Sequence, residues 1–217
     1  MSEDVNLRRK PRQARSQQRV DQLLNTAETL FAELGYEVVT TNLIASRAGV
    51  PIGSLYQFFP NKEALLDGLI ERYVTELRST LDSTLSAEAV SRLTVTALVS
   101  AIIDGIAAFE ASHAGFNTIF LSSSVTVQHS QAVNAIHTEI VERVDAVFAI
   151  HYPALDPDRR HTTAVISVAV VKGLMSLAES ADDLPPEQII AEMKTVLLAY
   201  LRSVLVSVGL PLPPDLV

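Results

Sequence analysis

Between residues 24 and 34 the apolar side chains return every three or four positions, as Leu24, Ala27, Leu30, Phe31 and Leu34. That is the period of a helix with one buried face, and Gly35-Tyr36 ends it. Residues 40–65, TTNLIASRAGVPIGSLYQFFPNKEAL, carry two shorter stripes around a glycine. Thr40 or Thr41 offers a hydroxyl to cap a helix start. Ile44, Ala45 and Ala48 then fall at helical spacing, and Gly49 can take the left-handed conformation that ends the helix. Val50 plugs the turn, and Pro51 suits the first turn of the next helix because its missing N–H would be unpaired there anyway. Leu55 and Phe59, four apart, bury one face of that helix. Ile52, Gly53, Ser54, Tyr56, Gln57 and Phe58 are left to project outward. The pattern predicts a helix-turn-helix.

Downstream, prolines punctuate long helical stretches, with none between Pro60 and Pro153. Asn61 can cap a helix over 62–85. Ser86 opens another to about 111, with Val90, Leu93, Ala97, Leu98, Ile102 and Ile106 on its buried side. Residues 114–122 read as a short helix and 125–152 as a long one. Asp156-Pro157-Asp158 is a helix start, with a capping carboxylate, a proline and an acid at the positive dipole end, and that helix runs to about 180. The β-branched run at 165–171 would suit a strand, but its unbroken context favours helix. Pro185-Pro186-Glu187 starts the last helix, which Gly209 and Pro211 end. The expected fold is all-α, with about nine helices: a basic flexible arm (1–15), a three-helix head with the helix-turn-helix (16–66) and a helical C-terminal domain (67–217).

The net charge of −8 changes this picture only when it is divided. Residues 1–65 hold eight Lys/Arg against seven Asp/Glu, and residues 66–217 hold nine against eighteen. Positive charge gathers in Arg8, Arg9, Lys10, Arg12, Arg15 and Arg19, beside the helix-turn-helix, as a nucleic-acid footprint requires. The chain has no cysteine, which excludes disulfides and thiolate chemistry and fits a reducing cytoplasm. Its N-terminal residues are polar and charged, with no apolar segment of the signal-peptide kind. No stretch is read as reaching the about 20 apolar residues of a membrane span. The histidines, at 113, 129, 137, 151 and 161, show no i, i+4 pair, and there is no Gly-rich phosphate loop or nucleophile elbow. No metal, cofactor or enzymatic site is expected.

The helix-turn-helix resembles the DNA-binding domain of the tetracycline-repressor (TetR) family. Its elements appear here as Ile44, Ala45, Ala48, Gly49 and Val50, then Gly53, Leu55, Tyr56 and Phe59, then Lys62, Glu63 and Leu65, and the likeness covers about residues 16–66. It implies a cytoplasmic transcriptional regulator, most often a repressor, that binds a palindromic double-stranded operator as a homodimer and is released by a small-molecule effector. Thr41, Tyr56 and Lys62 are then the phosphate clamps, with Arg47 a further one. Ile52, Gly53, Ser54 and Gln57 face base edges. Many family members carry a basic residue just before that glycine, where this chain has Ile52, so the arm over residues 8–19, with Arg8, Arg9, Lys10 and Arg12 foremost, is expected to carry an unusual share of affinity, by way of an adjacent minor groove.

The resemblance also implies an effector pocket in the C-terminal domain. Phe109, His113, Phe116, Asn117, Phe120 and His137 place aromatic and isolated polar groups in an otherwise aliphatic region, as such a pocket requires, while Asp104, in an apolar stretch, either anchors a cationic ligand or is simply exposed. The last two long helices are apolar on more than one side, so they are central to their own core or meet a second chain. The resemblance implies the second, through Val165, Val168, Lys172, Met175, Ile189, Met193, Val196, Tyr200 and Val204. The alternative is a ligand-free DNA-binding regulator controlled by a partner protein or by abundance.

Overall fold

The apolar stripes become helices in the computed structural model, which describes residues 10–113, 130–180 and 183–216. In order they are α1 (Lys10–Leu34), α2 (Thr41–Arg47), α3 (Ile52–Tyr56), α4 (Lys62–Thr84), α5 (Ala87–Arg92), α6 (Val95–Ser112), α7 (Ser130–His151), α8 (Pro157–Ser180) and α9 (Pro186–Ser207), closed by a 3-10 turn at Pro214–Leu216. No strand occurs among the described residues, and residues 165–171 lie within α8. The short helix expected at 114–122 lies outside the described residues. The chain forms two compact units, one holding residues up to Tyr73 together with His113, the other holding Val74–Ser112 and the chain from Ser130. The division falls within α4, later than the expected 66/67 boundary. Of the segment read as a flexible arm, residues from Lys10 onward are already helical.

In the first unit α1 buries Leu23, Leu24, Ala27, Leu30 and Phe31, α2 buries Ile44 and Ala45, α3 buries Leu55, and α4 buries Leu65, Leu66, Leu69, Ile70 and Tyr73. Gly35 and Gly49 end α1 and α2 at φ 79° and 66°, conformations that cost a residue with a Cβ strain.

The second unit has its own core. Val141 and Phe148 of α7 and Tyr152 just after it cluster with Ala164 of α8, Leu201, Val204 and Leu205 of α9, and Leu216. Ile103 of α6 clusters with Met175, Met193 and Leu197. Arginines fasten the second half of α4 to α7: Arg78 Nε donates to Glu139 at 2.8 Å, and Arg143 reaches Glu139 at 2.9 Å and also Asp82. These two arginines hold the Glu139 carboxyl below the usual carboxylate range, Arg78 first.

Two expectations need correction. The helix read as continuous from 86 to 111 breaks at Leu93, whose backbone is extended (φ −86°, ψ 145°). Thr94 then caps a new helix, its Oγ1 accepting from Ala97 N at 3.3 Å. The break shifts the apolar phase, so Ile103 rather than Ile102 is fully buried and Leu93 is exposed. Secondly, Val95–Ser112 and Pro157–Ala178 are both long and apolar enough, by composition, to cross a membrane, whereas no such stretch was expected. Their apolar residues include Val95, Leu98, Ile103, Phe109, Ala164 and Met175, which are buried in the protein itself.

The break is held from the far end of the chain. Asp215 Oδ2 accepts from Thr96 N at 3.0 Å, and Thr96 Oγ1 donates to Asp215 O at 3.1 Å, across 119 residues. Those hydrogen bonds hold the Asp215 carboxyl below its ordinary pKa, the Thr96 backbone N–H contributing most. A depressed carboxylate stabilises the fold above its unfolded pKa of about 3.9 and loses that contribution as pH falls through the folded value. Asp215→Ala is therefore expected to cost about 1 kcal/mol at neutral pH, as loss of a helix cap does. Thermal melts of both proteins should converge as the pH is lowered below about 4.

Candidate nucleic-acid interface

Thr40 begins the reading head. Its backbone is extended (φ −120°, ψ 157°) and its hydroxyl accepts from Leu43 N at 3.2 Å, so Thr40 rather than Thr41 is the cap. Thr41 is thereby freed, and its Oγ1 lies 3.2 Å from the Tyr56 hydroxyl. The α2–α3 turn closes with Gly49 N donating to Ser46 O at 3.1 Å and Val50 N to Ala45 O at 3.0 Å. Gln22 of α1 donates its side-chain N–H to Ala48 O at 2.8 Å and satisfies a carbonyl at the end of α2. Nothing in the sequence pattern pointed to Gln22, because the bond spans 26 residues.

With Leu55 buried beneath it, α3 turns Ile52, Gly53 and Tyr56 to solvent, with Gln57 beyond its end and Ser54 half-buried. A Cβ placed on Gly53 would meet nothing within 4 Å. The space above Gly53 is thus open in the free protein and available to a close-lying backbone or base.

The other expected clamps are engaged within the head. Arg47 pairs with Glu33 at 3.3 Å, both being exposed. Lys62 donates to Tyr36 O at 2.8 Å and Glu37 O at 3.4 Å, with its ammonium 4.1 Å from the centre of the Tyr36 ring. In the free protein Lys62 is therefore the fastening of the loop after α1, a role its position in the motif did not reveal. Burial, and then the carboxylates of Glu63, Glu37 and Asp67, push the Tyr36 phenol up to about 12, so it stays neutral beside that lysine. Lys10 and Arg12 lie on α1, where Arg15 is exposed and Arg19 bonds Gln22 at 3.1 Å. Arg8 and Arg9 lie outside the described residues.

The expected effector residues scatter. Asp104 is exposed and paired with Lys194 of α9 at 2.6 Å; it is a surface ion pair, not an anchor in an apolar pocket. Phe109 is buried in the second unit and His137 half-buried there. His113 belongs to the first unit, its ring edge-on to Tyr73 with centroids 5.2 Å apart. Phe116, Asn117 and Phe120 lie outside the described residues. Among the described residues no group of three His, Cys, Asp or Glu is placed to hold a metal ion.

The expected dimer residues divide by register. Met175, Ile189, Met193 and Val204 are buried inside the second unit, so these four belong to the protomer's own core. Val168 and Tyr200 are half-buried against that core. Val165, Lys172 and Val196 are exposed, together with Ile166, Ala169 and Leu177 on α8 and Ala199 and Val206 on α9.

A helix-turn-helix with its second helix turned outward, in an all-helical chain, defines a DNA-binding regulator class. Family comparison agrees. Residues 23–69 match the model described as bacterial regulatory proteins, tetR family, and residues 94–201 match the tetracyclin repressor-like C-terminal domain. The chain is 33% identical over 155 residues to the transcriptional activator FasR of Mycolicibacterium smegmatis, covering 70% of this chain and 68% of FasR. It is 36% identical over 92 residues to the transcriptional repressor KstR2 of Rhodococcus jostii, spanning 42% of this chain and 44% of that protein. A TetR-family regulator structure from Streptomyces coelicolor superposes with a TM-score of 0.60 at 26% identity, covering 86% of this chain and 99% of that one. The chain belongs to the TetR family and is a DNA-binding transcriptional regulator.

The geometry sets apart a thermodynamic and a functional effect at one residue. Gly53→Ala adds a methyl into open space and is expected to stabilise the free protein by up to about 1 kcal/mol, the difference in helix propensity. The same methyl should weaken DNA binding several-fold. A variant with a raised melting temperature and unchanged DNA affinity in an anisotropy titration would refute the close approach at Gly53.

Proposed function

We propose that the chain represses transcription by binding a two-fold operator as a homodimer and is released by a small-molecule effector. The observation that carries the DNA side of this reading is the Thr41–Tyr56 hydroxyl pair beside the open surface of Ile52 and Gly53. Two hydroxyls 3.2 Å apart can donate together to phosphate, while Ile52 offers apolar contact to a thymine methyl and Gln57 a two-pronged bond to adenine.

Few cations support that surface. Arg15 and Arg19, one turn apart on α1, add positive charge to the head. An α-helix about 10 Å across does not enter a minor groove about 6 Å wide. This stretch therefore meets phosphates from outside, and only residues before Lys10 are left to reach a groove. Deleting residues 1–12 is expected to lower operator affinity by at least about tenfold at 0.15 M salt and to flatten the slope of log K against log salt. Unchanged affinity across a salt series on upstream intergenic DNA would defeat this role.

Dimerisation is supported by the exposed apolar stripes. Ile166 and Val206 are 39% and 58% exposed, and Ala169, Gly173, Ala199 and Ser203 lie on the same exposed faces, where small residues allow two helices to approach closely. A single reading head contacts only a few base pairs, whereas a two-fold dimer sets two heads one helical turn apart, about 34–36 Å. Ile166→Glu combined with Val206→Glu should halve the mass seen by light scattering, from twice 23.6 kDa to 23.6 kDa. A double variant that remains dimeric would place the interface elsewhere.

Effector control rests on the match to the family's C-terminal domain over residues 94–201. Binding in that domain shifts the population of head settings through α4, with a coupling of about 1–3 kcal/mol. A second reading, activation, has its own support in the match to FasR, an activator aligned over 70% of this chain. The two differ in where the operator lies relative to the promoter, and a reporter assayed with and without the chain decides the sign.

A further inference from the structure

Within the first unit, α1 and α4 meet along a seam with two rungs. At one, a Cβ on Gly68 would come within 3.2 Å of Leu24 Cδ2 and of Phe59 Cε1, so a larger residue there would press those side chains back. One turn further on, Arg72 donates to Asn25 Oδ1 at 2.6 Å and forms an ion pair with Glu28. Leu24 and Glu28 are four apart on α1, as Gly68 and Arg72 are on α4, so the steric stop and the ion pair lie in register.

The ion pair is largely withdrawn from water, with side-chain exposures of 20% for Arg72 and 12% for Glu28. Arg72 Nε and Glu28 Oε1 have no hydrogen-bond partner among the described residues. Tyr73 beside them is fully buried, and burial together with the Glu28 carboxylate raises its phenol pKa. The His113 ring stands edge-on against Tyr73. A half-satisfied buried pair is a poor source of stability, since apolar residues of similar volume would serve as well or better. Its value lies in geometry: it is satisfied only when α4 lies on α1 at one setting.

The position of the cluster is its second mark. The chain leaves the first unit directly after Tyr73 and rejoins it at His113. Tyr73 and His113, the two residues packed beside the ion pair, therefore sit where the chain leaves the first unit and where it first rejoins it.

We propose that Glu28, Asn25, Arg72, Tyr73 and His113 form a positioning joint that fixes the angle of α4 on α1 and so sets the separation of the two heads. The proposal rests on the homodimer reading. Gly68 bounds the approach, Arg72 and Glu28 latch it, and an effector that draws α4 or residue 113 away breaks a buried pair as a unit.

The chain has no native cysteine, so a single nitroxide on Val38→Cys, an exposed site in the head, reports the distance between heads in the full-length dimer. The parent should give one narrow dipolar distance distribution. Glu28→Leu with Arg72→Met, which replaces the pair by apolar volume, should retain cooperative thermal unfolding yet broaden the distribution at least about twofold. Arg72→Lys, which keeps the charge but loses the fork, should fall between them. A folded double variant with the parent's distribution would overturn the joint while leaving the dimer intact. Absence of any dipolar coupling in the parent would overturn the dimer reading, and the joint with it.

Discussion

A helix of five residues has no stability of its own in water, because its nucleation cost is never recovered by propagation. α3 is such a helix, and it exists because Leu55 is fully buried beneath it, with Phe59 and Val50 nearly so on either side. That burial is the constraint on which the reading surface depends. It fixes the rotation of α3, and the rotation decides that Ile52, Gly53 and Tyr56 face outward while Ser54 is half-covered. The glycine turn at Gly49 and the Gln22 bond to Ala48 O serve the same end, holding α2 where its Thr41 meets Tyr56. Chemistry that reads DNA is thus a by-product of which side of a short segment the core claims.

The same logic explains how the head treats its charges. A cation on the surface is worth little to stability, but a cation seated on backbone carbonyls organises a loop. Lys62 does this at Tyr36 and Glu37, fixing the chain between α1 and α2 from the first turn of α4. Arg72 acts deeper in the head and on side chains instead, bonding the Asn25 amide oxygen and pairing with the Glu28 carboxylate of α1. Both residues spend their charge on geometry. On the proposed reading, an interface built in this way depends on shape and on hydroxyl and apolar contacts at α3, and draws its long-range attraction from the basic N-terminal residues.

Local signals were legible in the sequence. Gly35, Gly49 and Gly209 each end a helix with a positive φ, and helix starts at Asn61, Ser86 and Asp156 have their expected caps. What escaped depends on partners distant along the chain. The break at Leu93–Thr94 is held by Asp215, 119 residues away, and Asp104 is neutralised by Lys194, 90 residues away. The division of α8 and α9 into core-facing and exposed residues escaped for another reason. A helix apolar nearly all round has no preferred phase, so periodicity put Met193 and Val196 in one set although the first is fully buried and the second exposed.

The acidic balance of the chain, 25 carboxylates against 17 Lys and Arg, bears on these arrangements. The second unit pairs Arg78, Arg143 and Arg160 with Glu139, Asp82 and Asp145, and its excess of carboxylates over cations leaves its remaining surface negative. Such a surface repels the DNA backbone everywhere except near the head. A head with weak positive charge can then dock only in the orientation that brings α3 and the start of α1 together onto the duplex. Low total attraction lowers non-specific affinity, which is almost wholly electrostatic, more than it lowers binding that also gains from base and shape contacts. The sparse cations near α3 therefore favour discrimination over tight holding. On the proposed effector reading, an effector then needs to offset only a modest binding free energy to clear the protein from its site.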